Sequence, residues 1–262
     1  DVKIIAIATN GEKVDFVEAE QDAVIVLDNS CFYAESGGQV GDTGTIKLGD
    51  NVFTVANTTK TAEGVILRHG ALSEGDALKV GDTIKCVIDV KRREAIMRNH
   101  SACHLLQSAL RRVLGNHVEQ SGSYVSDTVC RFDFTHFSAM TAEEIASVET
   151  LVNWEILAGQ VGSMTEMPIE EAKKLGAMAL FGEKYGKVVR VVRMGNHSIE
   201  FCGGTHVDNT AKIGLFKILS ESSVAAGVRR IEATTGEGVL RLLAEKNALI
   251  AETAKEMKVQ KP

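Results

Sequence analysis

Hydrophobic and polar positions alternate in short runs through the first third of the chain and then switch to a helical period. Lys3–Thr9 (Lys-Ile-Ile-Ala-Ile-Ala-Thr), Ala23–Leu27, Val52–Thr58 and Thr83–Val90 read as strands, with Asn10-Gly11, Gly49-Asp50 and Gly81-Asp82 as turn signals. Short strands at this spacing predict a small β-barrel over residues 1–89. From Lys91 the apolar positions Ile96, Cys103, Leu106, Leu110 and Val113 fall on one helical stripe, and Gly115 ends it.

Thr141-Ala-Glu-Glu144 is a capping-box signature and opens a second helix that runs to about Ala158. A short helix is expected over Glu170–Leu175, closed by Gly176. Val188–Arg193 and Ser198–Phe201 read as a hairpin, and Gly214–Glu221 and Val228–Thr234 as a strand pair split by residues 222–227. A final helix, about Gly238–Met257, has few partners to pack on within the chain. The expected architecture is α+β in three parts: a β-barrel with a glycine-rich segment (1–89), a mixed α/β domain (90–237) and a terminal helix leading out of it (238–262).

Two features of that pattern carry chemistry. His100-Ser-Ala-Cys-His104 lies on the first helix, where an i, i+4 spacing puts both imidazoles on one face. Cys202-Gly-Gly-Thr-His206 follows a strand, and its two glycines leave the backbone free to turn His206 back toward Cys202. Three imidazoles and a thiolate are a ligand set typical of Zn2+. Four protein ligands normally close a structural site, whereas a catalytic site keeps a position open. Ser101 stands where a helical zinc protease carries its general-base glutamate, which disfavours peptide hydrolysis.

Bulk composition narrows the setting. The 262 residues carry a net charge of −6 and five cysteines, an odd number without framework spacing, which points to a reduced, cytoplasmic compartment. The apolar runs are far too short to cross a bilayer. An acidic chain does not coat nucleic acid non-specifically, but Lys91, Arg92, Arg93, Arg98, Arg111 and Arg112 form a local basic patch on the first helix. Cys31, Cys86 and Cys130 sit in apolar runs and are expected to be buried. His69, His117, His136 and His197 lack ligand spacing.

Five motifs carry a resemblance. Arg98-Asn-His-Ser-Ala-Cys-His-Leu-Leu106 and Glu200-Phe-Cys-Gly-Gly-Thr-His206 resemble the paired zinc motifs of the alanyl-tRNA synthetase editing region. Phe32-Tyr-Ala-Glu-Ser-Gly-Gly-Gln39 is similar to that family's glycine-rich motif, and residues 176–184 and 227–233 match further ones. The resemblance covers nearly the whole chain and includes free-standing alanyl-tRNA editing proteins. It implies a β-barrel followed by an editing domain like that of threonyl-tRNA synthetase, and a zinc-dependent deacylase that hydrolyses alanine tRNA mischarged with serine or glycine. The chain would then be a fragment of a synthetase, or a free-standing editor acting in trans.

By the same resemblance the zinc ligands are His100, His104, Cys202 and His206. Gln120 lies near the misacylated amino acid, Arg229 lies near the site, and Cys103 replaces a threonine that the family often carries for contact with the serine hydroxyl. A thiol is a poorer hydrogen-bond partner than a hydroxyl, and Cys103 also suits a core position by residue type. The tRNA partner would be held through its phosphates by Arg92, Arg93, Arg98 and Arg111, with Lys184 and Lys187 as further candidates. The segment 32–44 could close over the cleft or serve as a plain turn. The competing readings are a zinc-stabilised tRNA-binding module without catalysis and a zinc hydrolase for another ester or amide.

Overall fold

A computed structural model describes residues 2–178, 186–195 and 197–257. The chain divides into two compact units, Asp1–Glu94 and Ala95–Pro262. Both α-helices and β-strands are present, so the fold is mixed α+β. Among the described residues no helix is long and apolar enough to cross a membrane.

The first unit holds nine strands: β1 Val2–Thr9, β2 Glu12–Val14, β3 Phe16–Glu18, β4 Asp22–Leu27, β5 Gly44–Leu48, β6 Asn51–Lys60, β7 Ile66–Glu74, β8 Ala77–Lys79 and β9 Thr83–Ile88. Strand pairing runs β1-β4-β7-β6-β5-β9 and returns from β9 to β1, a closed ring of six. The turn chemistry is what the sequence suggested. Asn10 and Gly11 both take left-handed φ (51° and 84°) in the two-residue β1–β2 loop, as a type I′ turn requires. Alternate residues face inward, so Ile4, Ile25, Ile46, Phe53, Val55, Leu72 and Ile84 form one core. At Gly70 the strands approach so closely that an added Cβ would lie 1.9 Å from the Thr54 carbonyl oxygen.

Strands β5 and β7 carry weak alternation and were not legible in the sequence. β7 even buries a cation, Arg68, which is 1% exposed and donates to the Ile66 carbonyl. The expectation that Cys31 is buried fails: it is exposed. The next residue, Phe32, fills the core position at that point of the chain. Cys86 is half-buried and Cys130 buried.

The glycine-rich segment is pinned rather than loose. Asp42 accepts the Tyr33 N–H, its carbonyl accepts from Thr58 Oγ1, and Glu35 N–H reaches the Thr58 carbonyl. Phe32, Gln39 and Asp42 are all buried.

The second unit is built on helix α1, Val90–Leu114, which begins within the span of the first unit. Asp89 supplies its start, its Oδ1 accepting the Arg92 N–H at 3.0 Å. Gly115, at φ +114°, ends it. Burial along α1 is not the single stripe expected. From Asn99 to Gln107 every residue is buried, because elements pack on opposite sides of this stretch.

On one side lies a four-stranded sheet, order β10-β11-β16-β15, made of β10 Gln120–Val125, β11 Cys130–Thr135, β15 Phe216–Ala225 and β16 Val228–Thr235. On the other lies a three-stranded sheet of β12 Ser163–Pro168, β13 Val188–Met194 and β14 Ser198–Phe201. The expected hairpin is the β13–β14 pair. The expected loop at 222–227 is shorter than read: β15 stays paired to Ala225, and Gly227 at φ +74° makes the turn.

Helix α2, Ala142–Leu157, has the full capping box, with Glu144 N–H on Thr141 Oγ1 at 3.1 Å and Thr141 N–H on Glu144 Oε2 at 2.8 Å. The short helix α3, Ile169–Lys174, ends against Gly176 at φ +74°. The terminal helix α4, Glu237–Glu256, buries only Val239 and Ala254, while Leu240, Leu243, Leu249 and Ile250 stay exposed.

Candidate metal centre

Four side chains from two distant segments meet in the second unit. His100 and His104 project from α1, one turn apart, with ring centroids 5.6 Å from each other and planes 14° apart. Cys202 stands directly after β14, and His206 lies four residues on, facing back as the spacing suggested. One ligand atom from each of the four lies within 4.8 Å of the others. Neither Gly203 nor Gly204 uses left-handed φ. Instead the Gly204 N–H points at Cys202 Sγ, 3.4 Å away, a contact that stabilises a thiolate.

The cluster fits a zinc ion on its own geometry. Tetrahedral bonds of about 2.3 Å to sulfur and 2.0–2.1 Å to nitrogen give S···N edges of about 3.5 Å. Cys202 Sγ lies 3.5 Å from His100 Nε2 and 3.3 Å from His206 Nε2. His104 Nε2 is buried with no hydrogen-bond partner of good geometry, and a buried polar atom left so is costly unless a ligand satisfies it.

Neighbours orient the ligands. Glu200, inward on β14 and two residues before Cys202, places Oε2 2.8 Å from His104 Nδ1, with both side chains 6% exposed. The approach is an ion-pair contact rather than a linear hydrogen bond, since His104 Nδ1 lacks a well-aligned partner. Ser198 Oγ donates to the other Glu200 oxygen at 2.7 Å. Ser101 Oγ sits 3.5 Å from His206 Nδ1 and accepts the Val207 N–H at 3.0 Å. Arg190, on β13, donates to the carbonyls of Cys202 and Gly204 at 2.9 and 2.6 Å, bracing the ligand loop. A carboxylate behind a ligating imidazole is the usual outer partner of a zinc histidine.

Charge in the cluster follows from burial and proximity. Burial, the largest single influence, disfavours a charged His104, but Glu200 and Cys202 together outweigh it and lift the imidazole to about 10. His206 is driven down to about 3 by burial and by the neighbouring His100. Burial alone would raise the Cys202 thiol, yet His100 and the other imidazoles hold it well below its ordinary value.

Glu200 and Arg190 had no role in the sequence reading. A signal existed for Glu200: strand alternation puts it on the same face as Cys202. Arg190 had none, because its position opposite Cys202 depends on the β13–β14 register.

The remaining sequence candidates are placed as follows. Gln120 opens β10 opposite Phe134 of β11, and Phe134 in turn lies opposite Arg229 of β16. The sheet register therefore sets Gln120 and Arg229 in one row with a single strand between them, about 10 Å apart. Arg229 is held in a two-point ion pair by Glu221, at 2.5 and 2.7 Å. Cys103 is buried between α1 and β11, where hydrogen bonding to Cys130 and burial raise its thiol well above the ordinary value.

Arg92 donates to the Gly41 carbonyl, and Arg93 pairs with Asp42 and reaches the Cys31 carbonyl. Arg98 is half-buried against Gly236, and Arg111 donates to the Val118 carbonyl at 2.7 Å. Lys187 is exposed, and Lys184 lies outside the described residues.

Comparison with known proteins adds an independent line. Residues 189–232 match the family model described as the threonyl and alanyl tRNA synthetase second additional domain, and residues 1–92 match that of class II (A) tRNA synthetases. The alanine–tRNA ligase of Bordetella pertussis is 54% identical over 253 residues, 97% of this chain and 29% of that protein. That of Burkholderia multivorans is 52% identical over 260 residues, 99% of this chain and 30% of that protein. This chain thus spans less than a third of the length of these relatives. Near-complete coverage at such identity, with both synthetase models matching, means that the chain belongs to the alanyl-tRNA synthetase family, as a region of it.

Proposed function

We propose that this region hydrolyses alanine tRNA mischarged with serine or glycine, as the zinc-dependent editing part of an alanyl-tRNA synthetase. The carrying observation is the four-ligand cluster with Glu200 behind His104, set between two sheets, with Gln120 and Arg229 aligned on one of them. A zinc ion there would be held by His100, His104, Cys202 and His206 and would supply Lewis-acid polarisation.

The chain's own residues do the rest. Glu200 and Ser101 fix the His104 and His206 rings, and Arg190 holds the Cys202–Gly204 loop. Gln120 is the reader of the serine hydroxyl. Serine is larger than alanine, so a size sieve alone fails, but a site built to hydrogen-bond the hydroxyl rejects alanine by factors of roughly 10⁴. Glu200, the carboxylate nearest the four ligands among the described residues, is engaged by His104 and Ser198, and the ribose hydroxyl of the tRNA is the proposed proton acceptor. The position of Cys103 against Cys130 supports a packing role for it. The Arg92 and Arg93 contacts likewise support a structural role in holding residues 41 and 42, as the Val118 contact does for Arg111.

The test is deacylation of seryl-tRNA and alanyl-tRNA by the chain and by His104→Ala, with bound zinc measured alongside. One zinc per chain, preference for the seryl ester, and loss of both metal and hydrolysis in the variant are expected. Undiminished hydrolysis by a zinc-free variant would refute the reading. Zinc and tRNA binding without hydrolysis would establish the binding-module alternative.

A further inference from the structure

The inner face of β11 carries a row of rings that continues past the core. Phe132, Phe134 and His136 succeed one another with centroids 6.3 Å apart at each step. At the end of the strand His136 meets His117, Nδ1 to Nε2 at 2.9 Å, with ring centroids 5.1 Å apart and planes 24° apart. Phe137 completes the group, 4.7 Å from His136 and 5.4 Å from His117, and is 82% exposed. The arrangement is anchored from below. Thr135 Oγ1 donates to the His117 carbonyl at 2.6 Å and accepts the Glu119 N–H at 2.9 Å. The Phe137 ring thus stands in water against anchored neighbours, with a face free for contact.

We propose that the exposed rings of Phe137 and His117, backed by the buried His136, form a stacking platform for an unpaired nucleobase of the RNA, a proposal that rests on the editing reading and adds a nucleotide contact to it. Three observations favour a base as the occupant. The group is flat and aromatic with polar imidazole edges, and every base offers a π-face to such a surface. Its position also suits the reaction. His117 stands in the turn three residues before Gln120, so at most about 10 Å of chain separates them, within the reach from an esterified amino acid to the base of the same nucleotide. Cations lie close by as well. A cavity of about 380 Å³ lined by Arg111, Arg112, Asn116 and His197 begins at the residue next to His117, and guanidiniums beside stacked rings are the arrangement that tracks a single strand. A protein partner would need a far larger apolar patch than one ring set among imidazoles and guanidiniums.

The test uses alanine tRNA with 2-aminopurine as its terminal base, titrated into the chain, Phe137→Ala and Phe137→Trp. Because Phe137 is exposed, both variants should keep the circular dichroism spectrum and zinc content of the parent. Quenching of the probe by the parent chain is expected. Phe137→Ala should lose the quench, bind roughly 5- to 150-fold more weakly, and raise KM for seryl-tRNA hydrolysis with kcat largely kept. Phe137→Trp should retain binding and quench. If Phe137→Ala binds and quenches like the parent while the parent hydrolyses seryl-tRNA, the platform is wrong and the editing reading stands. A change in self-association without a change in RNA binding would mark a protein interface and also overturn it. If the parent neither binds nor hydrolyses the tRNA, the editing reading falls and the platform with it.

Discussion

Single side chains decide whether the cluster can hold a metal. Glu200 and Arg190 went unread, and of the two Glu200 is the more informative to change. Glu200→Gln keeps the size but removes the charge facing His104, and zinc affinity should fall about 10- to 100-fold, measurable by competition with a chromogenic chelator. The same pair fixes a proton count. With His104 raised to about 10, its proton is bound at pH 8 in the chelated protein, whereas Cys202 is already a thiolate. Zinc loading at pH 8 should therefore release about one proton from His104, seen by calorimetry in buffers of different ionisation enthalpy, and less in Glu200→Gln.

Outside the cluster, thiol reactivity follows exposure. Burial and the Cys31 thiol push Cys86 up to about 11 from 9.0. The sign follows directly: the fold favours the neutral thiol, a contribution complete below pH 9.0 and lost as the pH rises through about 11. Near neutral pH, iodoacetamide should therefore label Cys31 well before Cys86, as peptide mass mapping would show.

At the scale of elements, local sequence signals and close backbone approaches set the tolerances. The α2 capping box was readable because both of its members lie within four residues, and both hydrogen bonds form. Thr141→Ala should cost on the order of 1 kcal/mol, read as a lower denaturant midpoint at unchanged slope. Gly70 has no such local signature. Only the pairing of β6 with β7 shows that a Cβ there would strike the Thr54 carbonyl. Gly70→Ala should destabilise the first unit far more than Thr141→Ala destabilises the second, in the same measurement. Helix α1 shows the limit of periodicity. Its apolar stripe was correct, but it gave no hint that the polar positions Asn99, Ser101 and Gln107 are buried too, because that burial comes from elements more than twenty residues away in sequence.

At the scale of the whole molecule, the two units are separate compact bodies, and the metal ligands all belong to the second. Chelation should lower the thermal midpoint of the second unit, since a ligand that binds only the folded state stabilises it by mass action. The first unit should melt unchanged, with the two transitions separated by calorimetry. A single transition shifted as a whole would show that the units unfold together.

The sequence by itself determined the strands with clean alternation, the helices with periodic faces and caps, and the ligand types, because each of these is written in residues a few positions apart. The tertiary structure alone decided that His100 and His104 meet Cys202 and His206, that Glu200 backs His104, that Arg190 braces the ligand loop, and that Gln120 and Arg229 share a row. These depend on strand register and on α1 lying between two sheets. Register is set by packing across a whole interface rather than by any local pattern, so no short stretch of residues encodes it.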